Sequence, residues 1–256
     1  MRDKAKANRL YASMTAGVLA SVALLSFGVW YFRPPLPDPE TLCPTNLPLA
    51  GHTLVIVDRT DRWNPTVAQT LTELIESAQR DTERYQKFSI VALDSSMTTR
   101  PIFSVCNPGE PNFMTDLYRG RRFTQRDFDE KFVDAAENVV ATISAPGEAQ
   151  TSPIVEYAHR WLGRDDFNET IPNRRMILIS DMRQNSPRIS VYDSPSGEDL
   201  ARVVEQEFGE SGRTVSYDVY FVAHGHDANV PESTVRNAWD AAFRGLSATY
   251  EWRQLE

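Results

Sequence analysis

The sequence predicts an α/β protein: an open, doubly wound, mostly parallel sheet with one antiparallel strand and helices on both faces, preceded by one transmembrane helix. Three observations carry this expectation. Residues 53–58 and 176–181 are short apolar runs that each end in aspartate, the pattern of strands buried on both faces. Between such runs lie stretches whose apolar residues recur at helical spacing, and strand–helix alternation of this kind builds parallel sheets. Finally, residues 10–32 form an uncharged run, which at about 1.5 Å per residue spans a bilayer core of about 30 Å.

In chain order, residues 1–9 read as a basic cytoplasmic tail and 10–32 as the membrane span. Arg2, Lys4, Lys6 and Arg9 precede the run, and Trp30, Tyr31 and Phe32 end it at the level where aromatic rings favour lipid headgroups. The positive-inside bias then puts everything after Arg33 outside the cytoplasm, most simply in a bacterial periplasm, with the lipid bilayer as partner of 10–32. A cleaved secretory signal is the alternative, although no small-residue cleavage pattern follows Phe32. Residues 33–48, with Pro34, Pro35, Pro37 and Pro39, predict an extended linker. Residues 49–256 are the α/β domain.

Within that domain, 53–58 is the first strand, and Asn64-Pro65 offers a helix cap and first turn. Val67, Leu71, Leu74, Ile75 and Ala78 then follow at helical spacing. Residues 88–93 form a second strand and 100–105 a third, antiparallel because the connection is too short for a parallel crossover. Phe128, Phe132, Ala135, Val139 and Ile143 make a helical stripe, and a further helix starts near Pro153. The strand at 176–181 follows, then a helix over 200–208, a strand over 215–222, a helix over 232–246 and a last strand near 249–252. Trp161, Trp239 and Trp252 fall in apolar stripes and read as core.

Composition excludes several functions. Residues 1–33 carry five basic side chains against one acidic, a net of +4. The remainder carries 22 basic against 34 acidic, a net of −12. A domain so acidic repels phosphate backbones, which argues against nucleic-acid binding. Two cysteines are too few for a multi-cysteine metal site. No nucleophile elbow, P-loop or dinucleotide fingerprint is present, so the chain does not read as an enzyme.

Ligands of such sheets gather outside the carboxyl ends of strands, where strand order reverses. Asp58 and Asp181 stand at ends of that kind. A strand ending in Asp58, followed by Arg59-Thr60-Asp61-Arg62 and a capped helix, resembles the von Willebrand factor type A domain over most of residues 50–256. The resemblance implies a metal-ion-dependent adhesion site built from Asp58, Thr60, Thr151 and Asp181, holding Mg²⁺ through hydroxyls and water-bridged carboxylates. The ion's open position would take a carboxylate of a partner protein. Arg62 departs from the pattern, for the family has serine there. Its guanidinium could take the cation's place and pair with Asp58 or Asp181, leaving a degenerate site.

The resemblance implies a membrane-anchored protein-binding module, one part of an envelope complex. A metal-assisted hydrolase using Asp58 and Asp181, and a purely structural domain, are the alternatives. An aspartyl-nucleophile phosphatase would need a second acid where Thr60 stands. Trp63, in the same loop, is the aromatic placed to touch a partner. His224-Gly225-His226-Asp227 reads as a polar turn or an incomplete zinc tripod. Arg119-Gly120-Arg121-Arg122 reads as a solvated loop or a contact for acidic partners or lipid headgroups. Cys43 and Cys106 are expected to pair: an exported domain permits a disulfide, and the antiparallel third strand ends at the edge where the first begins.

Overall fold

Six strands, β1 (His52–Asp58), β2 (Lys87–Leu93), β3 (Phe103–Cys106), β4 (Arg174–Ser180), β5 (Val215–Val222) and β6 (Thr249–Leu255), form one sheet in the order β3-β2-β1-β4-β5-β6. The structure is a computed structural model that describes residues 2–60, 65–143, 149–193, 197–223 and 230–255. All neighbouring strands run parallel except β2 and β3, where Lys87 faces Cys106 and Ile90 faces Phe103. This is the predicted fold class. The third strand begins later than its apolar run, because Pro101 has no N–H to give a ladder, and pairing with β2 starts with the Ile102 amide on the Ile90 carbonyl.

Alternation along each strand explains why the runs are apolar throughout. Leu54, Ile56, Met176, Leu178, Val219 and Phe221 pack to one face of the sheet, while Val55, Val57, Ile177, Ile179, Tyr220 and Val222 pack to the other. The first face is covered by α6 (Ile154–Leu162), α7 (Glu198–Arg213) and α8 (Glu232–Leu246), with Trp161 and Trp239 wholly buried as expected of core. Trp252 packs partly buried against the same cluster. The second face is covered by α2 (Pro65–Arg80) and α5 (Asp134–Ile143), through Val67, Leu71, Ile75, Ala78 and Ile143. Gly197 opens α7 at φ +76°, and a side chain there would strike the α8 backbone at Ala238 Cα, 2.7 Å away.

Two segments differ from their sequence expectation. The helical stripe seen from Phe128 onward belongs to a longer helical stretch, α3 (Phe113–Arg119), α4 (Arg121–Arg126) and a π-helical turn Asp127–Val133 running into α5. Asn112 caps α3, accepting from the Thr115 amide while Thr115 Oγ1 accepts from the Asn112 amide. The proline-rich segment is not an extended linker throughout 33–48. Pro37 and Pro44 bridge antiparallel, Asp38 Oδ1 accepts from the amides of Glu40 and Thr41 and from the Thr41 hydroxyl, and Leu42 is buried. The Thr41 carbonyl accepts from the Cys106 amide on edge strand β3, and Cys43 and Cys106 form a disulfide with Cα atoms 4.7 Å apart. Prolines stiffen this segment, but the turn at Asp38 and the covalent tie fold it onto the base of the sheet.

Ahead of it, α1 (Arg2–Tyr31) contains Tyr11–Tyr31, 21 residues long and apolar enough by length and composition to cross a membrane or to serve as a signal sequence. None of that stretch is buried against the rest of the chain.

Candidate functional site

Strand order reverses between β1 and β4, so the crevice for a ligand opens beside the ends of these two strands. Asp58 is the last residue of β1 and is buried. Beyond it the chain turns back: the Arg59 amide bonds the Leu93 carbonyl, and the Thr60 amide donates to Asp58 Oδ1 at 3.0 Å, an Asx turn. Thr60 Oγ1 also donates to Oδ1, at 2.7 Å. Oδ2 accepts from the hydroxyls of Ser152, at 2.9 Å, and Ser180, at 2.7 Å. One carboxylate thus gathers three hydroxyls and an amide from three separate loops. A carboxylate offers about four lone-pair sites, so a single side chain can serve all of these donors at once.

The loop ahead of α6 is held in place by a two-way bridge. The Ser152 amide bonds the Asn185 carbonyl and the Asn185 amide bonds the Ser152 carbonyl, both at 2.9 Å. Gln184, wholly buried, accepts from the Val155 amide at the start of α6 and donates to Glu156. This register puts Ser152 against Asp58 and leaves Thr151 exposed. The hydroxyl expected from Thr151 is therefore supplied by its neighbour. The sequence reading followed residue type, threonine, where the loop's position selects the next residue.

Asp181 follows β4 and is also buried, but its partners differ from those of Asp58. Oδ1 accepts from the Arg183 amide at 3.0 Å, and Oδ2 lies 3.4 Å from Nε of Arg183, itself buried. Between them, Met182 is held at φ +56°, a region that costs a side-chain-bearing residue energy. Its amide donates to Ser180 Oγ and its carbonyl accepts from Trp239 Nε1 at 2.7 Å, so the turn is pinned from both sides. The Arg183 guanidinium pairs with Asp181; the pairing expected of Arg62 is not among the described residues. Arg62 and Trp63 lie outside the described residues, as do His224, His226 and Asp227.

The arrangement is one of oxygen donors. A hydroxyl that gives its hydrogen to Asp58 keeps lone pairs, so Thr60, Ser152 and Ser180 could offer neutral oxygens to a hard cation such as Mg²⁺. The donor set fits that ion on the Asp58 side, while Arg183 already answers the charge of Asp181. Among the described residues no three or more of His, Cys, Asp and Glu come together as a metal-holding group. Ser180 escaped sequence reading because it looked like strand. A serine closing an otherwise apolar buried run beside Asp181 was the available signal.

No family model and no curated protein matches the chain. Among solved structures, the pilus adhesin SpaC from Lactobacillus rhamnosus GG in its open conformation is 8% identical, with a TM-score of 0.46 over 83% of this chain and 28% of the adhesin. A second form of SpaC gives 9% identity and a TM-score of 0.43 over 82% of this chain and 29% of the adhesin. The chain spans less than a third of the length of those adhesins, and a likeness of this degree says nothing of function.

Proposed function

We propose that this chain is a membrane-anchored, von Willebrand A-like protein-binding module, exposed on the periplasmic side of a bacterial inner membrane as part of an envelope complex. One observation carries the reading: the buried cluster of Asp58 with Thr60, Ser152 and Ser180 sits at the end of the sheet opposite the one tied to the anchor by Cys43–Cys106. The loops it organises therefore face away from the anchor, where a partner protein can reach them. The disulfide supports an oxidising compartment. Mg²⁺, held by the hydroxyls with Asp58 and Asp181 behind them, would present its open position to a carboxylate of that partner. Binding fits better than hydrolysis, because Asp58 is engaged by the Thr60, Ser152 and Ser180 hydroxyls and the Thr60 amide, which suits a brace for loops better than a nucleophile.

The pairing of Arg183 with Asp181 favours a second reading, in which the adhesion site has decayed and the cluster only braces the loops. Affinity capture of the full chain from solubilised membranes, with and without chelator, separates the two. The proposal expects a partner that is lost with chelator and with Asp181→Ala. A partner retained under both conditions supports the decayed site, and no specific partner overturns the binding reading.

A further inference from the structure

The large apolar side chains exposed outside α1 are concentrated on one end of the domain. Of the seven that follow Phe32 among the described residues, Leu36 and Leu47 lie on the segments folded at the base, and Phe113, Leu117 and Phe123 lie on α3 and α4. Phe113 and Leu117 are four residues apart on α3, hence on one face, and are 78% and 58% exposed. Arg119, Arg121, Arg122 and Arg126 stand among them, on a domain otherwise strongly acidic. Arg119 is committed to the buried Asp127, and Arg126 lies 4.0 Å from the same carboxylate and over the Phe123 ring. Arg121 and Arg122 are exposed and pair with no carboxylate among the described residues. Asp116, Asp129 and Glu130 are the acidic neighbours; Asp116 accepts from Thr124, and Asp129 from Gln125.

One contact fixes this surface relative to the anchor. The Tyr118 hydroxyl donates to the Val29 carbonyl, in the last turn of α1, where helical carbonyls have no partner within the helix. Val29 adjoins Trp30, Tyr31 and Phe32, the aromatic residues suited to the headgroup layer. With α1 across the bilayer, a reading on which the present step rests, Tyr118 stands at the level of the headgroups and brings α3 and α4 with it.

We infer that α3 and α4 form a membrane-docking surface on the outward-facing leaflet. Phe113, Leu117 and Phe123 insert at the interface, and Arg121 and Arg122 engage lipid phosphates. The chemistry matches on both counts, since amphipathic helices bury apolar side chains at the acyl boundary and juxtamembrane arginines are attracted to anionic headgroups. The rest of the domain, bearing the net negative charge, is repelled by the same surface. Attraction at the base and repulsion elsewhere would hold the domain upright, with the Asp58 loops pointing outward.

Because Cys43 and Cys106 are both in the disulfide, a third cysteine is the single free thiol for a fluorescent label. The full chain carrying Leu117→Cys, or Tyr192→Cys as an exposed reference, is reconstituted into phosphatidylcholine vesicles with and without phosphatidylglycerol. Headgroup-level doxyl lipid should quench the label at 117 and not at 192, more so with phosphatidylglycerol. Arg121→Gln and Arg122→Gln should each weaken docking in the anionic vesicles by about fivefold. Equal quenching at 117 and 192 overturns the proposal. So does a label at 117 shielded from aqueous quencher yet untouched by doxyl lipid, which would mean that protein covers the patch. Flotation with the vesicles after alkaline carbonate reports the anchor separately. A chain that floats with label 117 unquenched loses only the docking surface, whereas one that fails to float loses the membrane span and docking together.

Discussion

The Ser180 hydroxyl donates to Oδ2 of Asp58 at 2.7 Å, tying the end of β4 to the end of β1 across the crevice where the sheet changes direction. Ser152 reaches the same oxygen from the loop before α6. Asp58 is thus the common acceptor of three loops, whatever else the site holds.

Removing that acceptor should therefore cost more than removing any one donor. Asp58→Ala strands several buried polar groups, each costing about 1–3 kcal/mol, whereas Ser180→Ala forfeits one bond worth about 1 kcal/mol and leaves Asp58 other donors. Urea denaturation of the detergent-solubilised chain gives both values. Equal losses for the two variants would show that the cluster does not brace the loops.

Metal binding makes a separate prediction. Mg²⁺ or Mn²⁺ that binds only the folded chain raises its melting temperature, by about 2.7 kcal/mol of stability at a hundredfold excess over Kd. Asp181→Ala should abolish the shift, and Arg183→Gln, which withdraws the competing cation, should enlarge it. If neither the native chain nor Arg183→Gln responds to either metal, the decayed site is the right description.

At the base of the sheet, His52 predicts an acid-sensitive stability. Its Nδ1 lies 2.6 Å from the Asp166 carbonyl and its Nε2 2.8 Å from Ser89 Oγ. Burial, helped by the nearby charges of Lys87 and Arg164, pushes the imidazole down to about 4 from its ordinary 6.5, against the opposing bond to the Asp166 carbonyl. A depressed pKa means the folded state resists protonation, so this contribution is complete above pH 6.5 and is lost as pH falls from 6.5 towards 4. Asp166 adds a second loss lower down. Burial alone would raise its carboxyl, but the bonds from Lys87 and Arg164 and the charge of Lys87 bring it to about 2, so its contribution fades only below pH 3.8. Urea midpoints at pH 7, 5.5 and 4.5 should fall more steeply for the native chain than for His52→Gln; parallel slopes would remove His52 as the cause.

How far the sequence foretold this molecule depends on the range of the interactions involved. β1 and β4 were legible because burial on both faces demands unbroken apolar runs, and α8 was legible because its stripe is long and regular. The sheet order placing Asp58 beside Ser180 arises from packing between distant segments, which periodicity does not record. Ser152 was missed for the same reason, since only the bridge to Asn185 settles which residue of its loop faces inward. The exposed helices α3 and α4 were missed because they present no buried stripe. The fold of 36–45 was hidden by prolines whose stiffness is overruled by Asp38 and the disulfide.

Orientation is testable apart from the site. Residues 1–33 carry five basic side chains against one acidic, which predicts that residues 34–256 lie outside the cytoplasm. Protease added to spheroplasts should digest the domain while a cytoplasmic control survives. A domain that survives until the spheroplasts are lysed has the opposite orientation.

The disulfide makes the last prediction, because it joins the two parts of the chain that must cooperate. Cys106 lies opposite Lys87 at the starting edge of the parallel strands, and Cys43 reaches it from the proline-rich turn. The bridge closes a loop spanning 63 positions, which in the chain-entropy model stabilises the folded state by about 4 kcal/mol. Thiol labelling of the denatured, unreduced chain should find no reactive cysteine, and two per chain would end the idea. Reduction should do more than lower the urea midpoint. Leu42 is buried beside the bridge and the Thr41 carbonyl caps the edge of β3, so freeing Cys43 should also loosen the 36–45 turn. Proteolysis near Glu40 should then accelerate in Cys43→Ser before the sheet itself unfolds. Equal cleavage rates in native and variant chains would mean that the turn holds without its covalent tie, and that Asp38 alone is enough to fold it.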